Sequence, residues 1–242
     1  MLYGIISDIH SNLEALEQVL AQLTLVDNKV CLGDMVGYGP NPNQCIHRIR
    51  SLNIPSVAGN HDKAVTGEME LIWFNPNARD AVNWTKKEIS QENLEYLIKL
   101  PLTLEEDDFY MVHGGLRSPL EEYITSVSDA IPTFEKMKKP LCFVGHSHVP
   151  LAVAMKKDGN YDGWVLMDKE EVLVDNYKKV IINVGGVGQP RDGDARASFG
   201  IYDTKTRIFT LRRIEYDFAK VQAKMREVGL PLPLIERLQY GR

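Results

Sequence analysis

The stretch Leu141–His148 restricts the fold more than any other part of the sequence. Residues 141–144 are apolar and rich in β-forming side chains, which predicts a short buried strand. The chain then turns at Gly145 and presents His146 and His148, which are separated by one residue. Because a turn interrupts the alternation of side chains along a strand, both imidazoles can face one crevice. By itself, the pair fits a metal site at a sheet edge and a solvent-exposed loop equally well.

The other histidines favour the metal site. The chain has six histidines, and only His47 lies away from the end of a short apolar run. Carboxylate and amide side chains occur at the same places along the chain. In order, the loops after the apolar runs contain Asp8 with His10, Asp34, Asn60 with His61 and Asp62, His113, and His146 with His148. Separately satisfied polar loop residues are the alternative, but five strand ends would then carry such residues by accident.

The types of these side chains indicate which ions could bind. The set contains two carboxylates, Asp8 and Asp34, one amide oxygen, from Asn60, and several imidazoles. Mixed oxygen and nitrogen ligands suit manganese, iron or zinc better than calcium or a thiolate-bound ion. The set is larger than one ion needs.

Strands and helices alternate in the first part of the chain, which predicts an α/β fold. The predicted strands there are 2–6, 30–32, 55–58, 102–106, 109–112 and 141–144, and the predicted helices are 12–23, 42–52, 77–100 in two pieces, and 128–138. After Pro150 the chain contains six predicted strands and a helix at 217–228, and we predict that these strands form a second, largely antiparallel sheet. No linker or repeat marks a boundary, so we expect residues 1–242 to form a single domain.

Composition excludes several classes of function. The net charge is −5, whereas broad nucleic-acid binding or binding to anionic membranes requires a basic surface. We find no signal-peptide pattern and no apolar run near the roughly 20 residues that a membrane span needs, so we predict a cytoplasmic protein without a membrane segment. Cys31, Cys45 and Cys142 have no paired spacing and are predicted to be small buried side chains in a reducing compartment.

Five short motifs resemble those of a known family. They are Asp8-Ile9-His10, Gly33-Asp34, Gly59-Asn60-His61-Asp62, Val112-His113-Gly114 and Gly145-His146-Ser147-His148. As a set and in this order, they resemble the motifs of the calcineurin-like metallophosphoesterases. Within that family, the sequence looks most similar to the small bacterial and archaeal phosphodiesterase branch related to diadenosine tetraphosphatases. The resemblance implies an α/β fold in four αββα layers, with two mixed sheets between helical layers and the site at the strand ends.

The resemblance also implies a role for each motif residue. Asp8, His10 and His148 would hold a first divalent transition metal ion, Asn60, His113 and His146 would hold a second, and Asp34 would bridge both. Manganese is favoured, with iron, zinc, nickel and cobalt as alternatives. Two such ions about 3.5–4 Å apart can activate a bridging hydroxide for in-line attack on phosphorus. The two aspartates offset only half of the four positive charges of the ions, so an acidic protein can still hold a phosphate there.

Two further motif residues would complete the chemistry. His61 would be the imidazole that binds no metal and that protonates the leaving oxygen or stabilises charge on the phosphoryl group. Asp62 would orient the ring of His61. Alternatively, Asp62 would be only a carboxylate at the start of a helix.

One departure from the family pattern bears on the substrate. Many relatives, including the protein Ser/Thr phosphatases, carry an Asp-Arg pair where this chain has Gly37-Tyr38. Loss of that arginine removes a bidentate phosphate donor, which argues against protein phosphatase activity and favours phosphodiesters. Arg191, in the glycine-rich segment 185–193, could replace it as a substrate-binding residue, with a surface turn as the alternative.

The sequence therefore predicts a phosphohydrolase that contains two metal ions and acts on a small phosphorylated substrate. A phosphodiester or a nucleotide-like phosphoanhydride is favoured, and a phosphomonoesterase or protein phosphatase is the alternative within the enzymes. A binding scaffold without turnover is the alternative outside them, but every motif position is filled, which favours catalysis. The oligomeric state is left open.

Overall fold

Two mixed β-sheets form the centre of the structure, a computed structural model that describes all residues 1–242. The strands are β1 Leu2–Ile6, β2 Asn28–Cys31, β3 Thr103–Glu105, β4 Phe109–Val112, β5 Leu141–Val144, β6 Leu151–Met155, β7 Tyr161–Val165, β8 Glu171–Leu173, β9 Lys179–Asn183, β10 Ala197–Asp203 and β11 Ile208–Ile214. The helices are α1 Leu13–Gln22, α2 Pro42–Ser51, α3 Asn60–Thr66, α4 Pro76–Glu88, α5 Gln91–Ile98, α6 Val127–Lys136, α7 Phe218–Glu227 and α8 Leu232–Glu236.

The five-stranded sheet has the order β2-β1-β10-β11-β8, and the six-stranded sheet has the order β3-β4-β5-β9-β6-β7. In the first sheet, β1 pairs with β2 in parallel and with β10 antiparallel. In the second, β4, β5 and β9 are successive parallel neighbours, and β6 joins β9 antiparallel. Each sheet is therefore mixed, as predicted.

Three apolar clusters show how the layers pack. Side chains alternate between the faces of each strand, so Ile5 and Ile6 of β1 belong to different clusters. Ile5 belongs to the cluster that lies between the two sheets, whereas Ile6 faces the helices α1, α2, α4 and α7. On the far face of the six-stranded sheet, Cys142 and Val144 pack against Phe134 of α6. The order of layers is helix, sheet, sheet, helix, which confirms the predicted αββα sandwich.

Local sequence signals determine the helix that follows β1. Asn12 caps α1, since its side-chain oxygen accepts a hydrogen bond from Ala15 N at 3.1 Å. Leu16, Val19 and Leu20 then place one face of the helix in the core. This rigid start of the helix fixes the end of the loop between residues 7 and 12, which carries the first motif.

The prediction of a separate second sheet after Pro150 is wrong. The strands β6, β7 and β9 join the sheet that contains β4 and β5, whereas β8, β10 and β11 join the sheet that contains β1 and β2. The apolar pattern of a strand indicates that it is buried, but not which neighbour supplies its hydrogen bonds. The last ninety residues therefore complete both sheets.

Smaller differences concern local elements. The predicted strand 55–58 reduces to one bridge between Cys31 and Ser56, because the chain leaves β2 at Ala58, whose N–H bonds to Pro101 O. The helix α3 was not predicted, although Asp62 at its third position is a helix-start signal. The three cysteines are buried and unpaired, as predicted. None of the helices combines the length and the apolar character needed to cross a membrane.

Candidate metal centre

The five motifs converge at one edge of the sandwich. Four of them directly follow a strand, namely β1, β2, β4 and β5, and the fifth begins α3. Parallel neighbours end at the same edge of their sheet, which applies to β1 with β2 and to β4 with β5. The two sheets face each other, so the loops of both meet there. The histidines and aspartates of the motifs are buried, except His146, which is half-buried.

The first group of side chains consists of Asp8, His10, Asp34 and His148. His10 Nε2 lies 3.1 Å from His148 Nε2 and 3.5 Å from Asp34 Oδ2. His148 Nε2 lies 3.2 Å from Asp8 Oδ1, which is buried and accepts no hydrogen bond. Two imidazole nitrogens and two carboxylate oxygens therefore point at one small space.

The hydrogen bonds behind this group determine the protonation of the rings. His10 Nδ1 contacts Val36 O at 3.1 Å, and His148 Nδ1 contacts Gln189 O at 2.6 Å. A carbonyl oxygen only accepts, so each Nδ1 carries the hydrogen, and each Nε2 presents a lone pair. Burial lowers the pKa of both rings, which keeps them neutral. Four acceptors then face one another without a donor, an arrangement that a cation stabilises.

The second group consists of Asp34, His113 and His146, with Asn60 beside them. His113 Nε2 lies 3.4 Å from Asp34 Oδ2, 3.1 Å from His146 Nδ1 and 3.1 Å from Asn60 Oδ1. Its other nitrogen contacts Leu32 O at 2.9 Å. The same oxygen, Asp34 Oδ2, lies next to His10 in the first group and His113 in the second. The residues of both groups can therefore hold divalent ions.

The backbone at the site is unusual. Asp8, His10, Asp34, His146 and His148 all have positive φ angles, of 53°, 46°, 52°, 67° and 59°. Residues other than glycine rarely adopt this backbone conformation, because their Cβ atom then crowds the backbone. Such strain concentrates at functional sites, where surrounding packing maintains it. Each of these side chains is thereby turned out of the line of its strand and into the crevice.

The charge on His113 leads to a prediction about metal uptake. Burial disfavours the charged ring, but the attraction and hydrogen bond to Asp34, together with the charge of Asp8 and the hydrogen bond to Leu32 O, outweigh it and raise the pKa of His113 to about 9. The ring is thus protonated in the metal-free protein at pH 7, whereas a metal ligand must be neutral. We expect metal binding at pH 7 to release at least about one proton per chain and to tighten as pH rises toward 9.

Calorimetric titration of the metal-free protein with Mn²⁺, in buffers that differ in ionisation enthalpy, measures this release. The release should fade well above pH 9, where His113 is already neutral. The free energy of unfolding of the metal-free protein should decrease as the pH rises, whereas the metal affinity should increase. A pKa above the usual 6.5 stabilises the fold below pH 6.5 and loses that effect between pH 6.5 and 9. Equal proton release at pH 7 and at pH 10 would contradict the prediction.

His61 lies beside both groups without belonging to either. Its ring packs against Tyr38, His10 and Phe74, with centroids 4.4, 4.8 and 5.0 Å away. A side chain at Gly37, which has a φ of 89°, would collide with His61 Nδ1, so glycine is required there. Burial lowers the pKa of His61 to about 4, although Asp34 opposes the shift, so the ring is neutral at pH 7.

Asp62 makes the contacts of a helix-start carboxylate. Its Oδ2 accepts a hydrogen bond from Gly59 N at 3.0 Å, and its Oδ1 accepts one from Val36 N at 3.2 Å. Both oxygens are thus engaged by backbone amides of two site loops, and neither reaches His61. The geometry favours the role of a helix-start carboxylate over a role in orienting His61. Through the two hydrogen bonds, Asp62 connects the loop that follows the second motif to the third motif.

A cavity of about 570 Å³ opens above the two groups. Asp34, Asn60, His61, His146 and His148 line its base. Its walls come from four places along the chain and consist of Tyr38, Met69, Trp73, Phe74, Asn75, Ala78, Leu120, Glu121, Tyr123 and Arg191. Such a volume, with an apolar wall and a few converging polar groups, is typical of a small-molecule site.

Arg191 is one of the cavity residues and lies in a loop, half-buried. Its guanidinium donates to Tyr123 Oη and to Gln189 Oε1, both at 2.9 Å, and lies 5.6 Å above the Tyr38 ring. Its Nε is buried without a partner. Behind it, Asp192 forms an ion pair with the buried Arg213. Sequence reasoning missed Tyr123, Phe74 and Trp73, because no motif marks them.

Comparison with known proteins agrees with this geometry. The family profile described as a calcineurin-like phosphoesterase superfamily domain matches residues 1–207. Uncharacterized protein MJ0912 of Methanocaldococcus jannaschii is 41% identical over 250 aligned residues, which cover 100% of this chain and 98% of that protein. The crystal structure of a metallophosphoesterase from Sphaerobacter thermophilus has a TM-score of 0.90 and 45% identity, covering 100% of this chain and 99% of that one.

A more distant relative covers part of the chain. The symmetrical bis(5'-nucleosyl)-tetraphosphatase of Vibrio campbellii is 30% identical over 130 residues, which are 50% of this chain and 47% of that protein. The match of the family profile across most of the chain and the full-length relatives lead to one conclusion. The chain belongs to the calcineurin-like phosphoesterase superfamily and is a metal-dependent phosphoester hydrolase.

Proposed function

We propose that the protein uses two divalent transition metal ions to hydrolyse a phosphodiester or a nucleotide-like phosphoanhydride. The observation that carries the proposal is the position of Asp34 Oδ2. It lies 3.5 Å from His10 Nε2 on one side and 3.4 Å from His113 Nε2 on the other. One carboxylate oxygen that lies beside two clusters of carboxylate, amide and imidazole side chains is an arrangement suited to a pair of ions.

The proposed metal ligands form two sets that share one residue. Asp8, His10 and His148 would hold one ion, Asn60, His113 and His146 the other, and Asp34 both. Bound ions would activate water as the nucleophile and neutralise charge on the phosphoryl oxygens. Manganese is the proposed ion, because the mixed carboxylate, amide and imidazole ligands suit it, with iron, zinc, nickel and cobalt as alternatives.

His61 would act on the substrate. It lines the cavity, belongs to neither ligand group, and is held by three aromatic neighbours. Because the pKa of His61 is about 4, the ring has already lost its acidic proton at pH 7 and cannot readily give one to the leaving oxygen. Of the two roles considered, a hydrogen bond to a phosphoryl oxygen is therefore better supported. That bond would strengthen as negative charge grows on the oxygen.

Arg191 would supply the cationic phosphate contact that Gly37 and Tyr38 do not provide. Its side chain is fixed by Tyr123 and Gln189, and its Nε has no partner within the chain. A guanidinium held in this way is prepared for a planar contact with phosphate oxygens. A phosphodiester carries two organic substituents on phosphorus, and the cavity between the wall segments has room for the second substituent.

Both halves of the chain contribute to the proposed unit. Strands after Pro150 complete the sheets that carry the motifs, and Arg191 lies in the second half. We therefore propose that residues 1–242 act as a single domain. The complete set of motif residues favours turnover over a binding scaffold, and the Vibrio campbellii relative supports a small nucleotide as substrate.

Hydrolysis of two simple esters tests the proposal. We expect Mn²⁺ to restore activity to chelator-treated protein and bis(p-nitrophenyl) phosphate to be cleaved with a higher kcat/KM than p-nitrophenyl phosphate. The mono- and diester carry the same leaving group, so the comparison isolates the second substituent. A preference for the monoester would favour a phosphomonoesterase, and no activity despite two bound ions per chain would favour the scaffold.

A further inference from the structure

The cavity has one wall that the hydrolysis of a phosphate does not explain. A short 3₁₀ turn, Leu71–Trp73, leads into Phe74, whose ring packs on His61 at 5.0 Å between centroids. Phe74 is 9% exposed, but Trp73 is 83% exposed, and both line the cavity. The indole thus lies next to the groups that face the phosphate, with most of its surface open to solvent.

The turn is anchored, although its tryptophan is not covered. Met69 and Leu71, which precede the exposed Ile72 and Trp73, pack against the main helical core, and Phe74, which follows them, belongs to it. The other two tryptophans, Trp84 and Trp164, are half-buried against apolar clusters. Indole exposes a large apolar face to water at a free-energy cost, and rings of this kind at a cavity usually meet a ligand.

Other parts of the cavity define the rest of that ligand. Arg191 and the metal ions proposed for the two ligand groups favour an anionic end, whereas Trp73 offers a flat apolar face in the same cavity. We propose that Trp73 is a stacking platform for a nucleobase, so that the substrate class is a nucleotide ester or anhydride with its phosphate over the two ligand groups. This inference rests on the proposed function, because it uses the same cavity base to hold the phosphate.

Polar groups beside Trp73 distinguish a base from an acyl chain. Asn75 uses its carboxamide oxygen to accept from Ala78 N at 3.0 Å, which leaves its N–H₂ group for a ligand. Glu121, another residue of the cavity lining, accepts a hydrogen bond from Ser118 Oγ at 3.0 Å with one oxygen and retains the other for a ligand. A base offers ring nitrogens and amino groups to such partners, whereas an acyl chain would bury them unpaired.

Paired ligands with and without a base measure the contribution of Trp73. Adenosine 5'-monophosphate and ribose 5-phosphate share the phosphate and the sugar and differ in the base. With Mn²⁺-loaded protein, we expect calorimetric titration to give a Kd for the nucleotide about tenfold to 100-fold lower than for the sugar phosphate, the usual range for stacking one base. Trp73→Ala should reduce this ratio to below about threefold, and Trp73→Phe should keep most of it.

A neighbouring residue supplies the matched control. Ile72 is 68% exposed in the same turn but is not among the residues of the cavity wall. Ile72→Ala should therefore leave the ratio of the two Kd values at its wild-type level. The inference would be overturned if Trp73→Ala kept the wild-type ratio of the two Kd values, or if Ile72→Ala lowered that ratio more than Trp73→Ala does. A ratio near one in the wild-type protein would overturn it as well.

The two proposals can fail separately. Hydrolysis of bis(p-nitrophenyl) phosphate together with equal Kd values for nucleotide and sugar phosphate would leave the proposed function standing and overturn the base platform. A base advantage that disappears in Trp73→Ala, without any hydrolysis, would support the platform and reject the proposed function. Absence of binding by both ligands to the Mn²⁺-loaded protein would overturn the platform outright.

Discussion

Replacing His61 with alanine is expected to lower kcat by about 10²- to 10³-fold, the usual contribution of one hydrogen-bond donor to an oxygen that gains negative charge in the reaction. Metal content should stay at its wild-type value, because His61 belongs to neither group of ligands. The measurement combines kcat for bis(p-nitrophenyl) phosphate with the metal content per chain after dialysis. Loss of metal in this variant would instead make His61 a ligand or a support of one.

The sixth histidine is a matched control for this experiment. His47 lies on α2, is exposed, and lines a separate surface pocket together with Arg50 and Tyr96. His47→Ala removes the same imidazole from the same chain without touching the cavity. We expect it to leave kcat and metal content within about twofold of the wild-type values, as is usual for surface substitutions.

Asp34→Asn is expected to have the largest effect on metal binding. The change keeps the size of the side chain but removes its charge, and an amide presents only one acceptor oxygen. Removal of a mere supporting partner of a ligand typically costs 10- to 100-fold in affinity, so the shared carboxylate should cost at least about 100-fold. Calorimetric titration with Mn²⁺ should show weakening at both groups, because Asp34 Oδ2 lies beside His10 and His113.

An exposed aspartate provides the comparison. Asp107→Asn changes the same functional group in the turn between β3 and β4, where the carboxylate is solvated. Its metal affinity and activity should equal those of the wild-type protein. If Asp34→Asn bound one ion with unchanged affinity, Asp34 would serve a single group, and the proposal of a shared carboxylate would be wrong.

The candidate site could be read from the sequence because its chemistry is local. His10, His113 and His146 each stand within a few residues of an apolar strand, so motif and strand are visible together. The alternation of apolar strands and helical patterns predicted an α/β fold, whereas the order of layers came from the family resemblance of the motifs. The left-handed backbone of Asp8 and His148 could not be predicted, because the strain is imposed by packing between distant segments and no glycine marks it.

What escaped prediction depends on contacts between distant parts of the chain. The partner of each strand after Pro150 is decided by which sheet edge is open, and the apolar pattern carries no information on that choice. Trp73 and Tyr123 are ordinary loop residues in the sequence, and only the fold places them around one cavity. The sequence therefore indicated the candidate ligand groups and Arg191, but not the aromatic walls that would select a substrate.

The pairing of β1 with β10 has a consequence for how the protein is made. All proposed metal ligands have been synthesised by residue 148, yet β1 pairs along one side with residues 200–203, and β5 pairs with Val180–Asn183. A nascent chain that has only reached Pro150 therefore lacks strands next to both sets of ligands. Long-range pairings of this kind form late, because loop closure must come first. We expect the nascent chain to acquire its metal ions only after β9 and β10 have been synthesised, when the ligand loops first have neighbouring strands on both sheets.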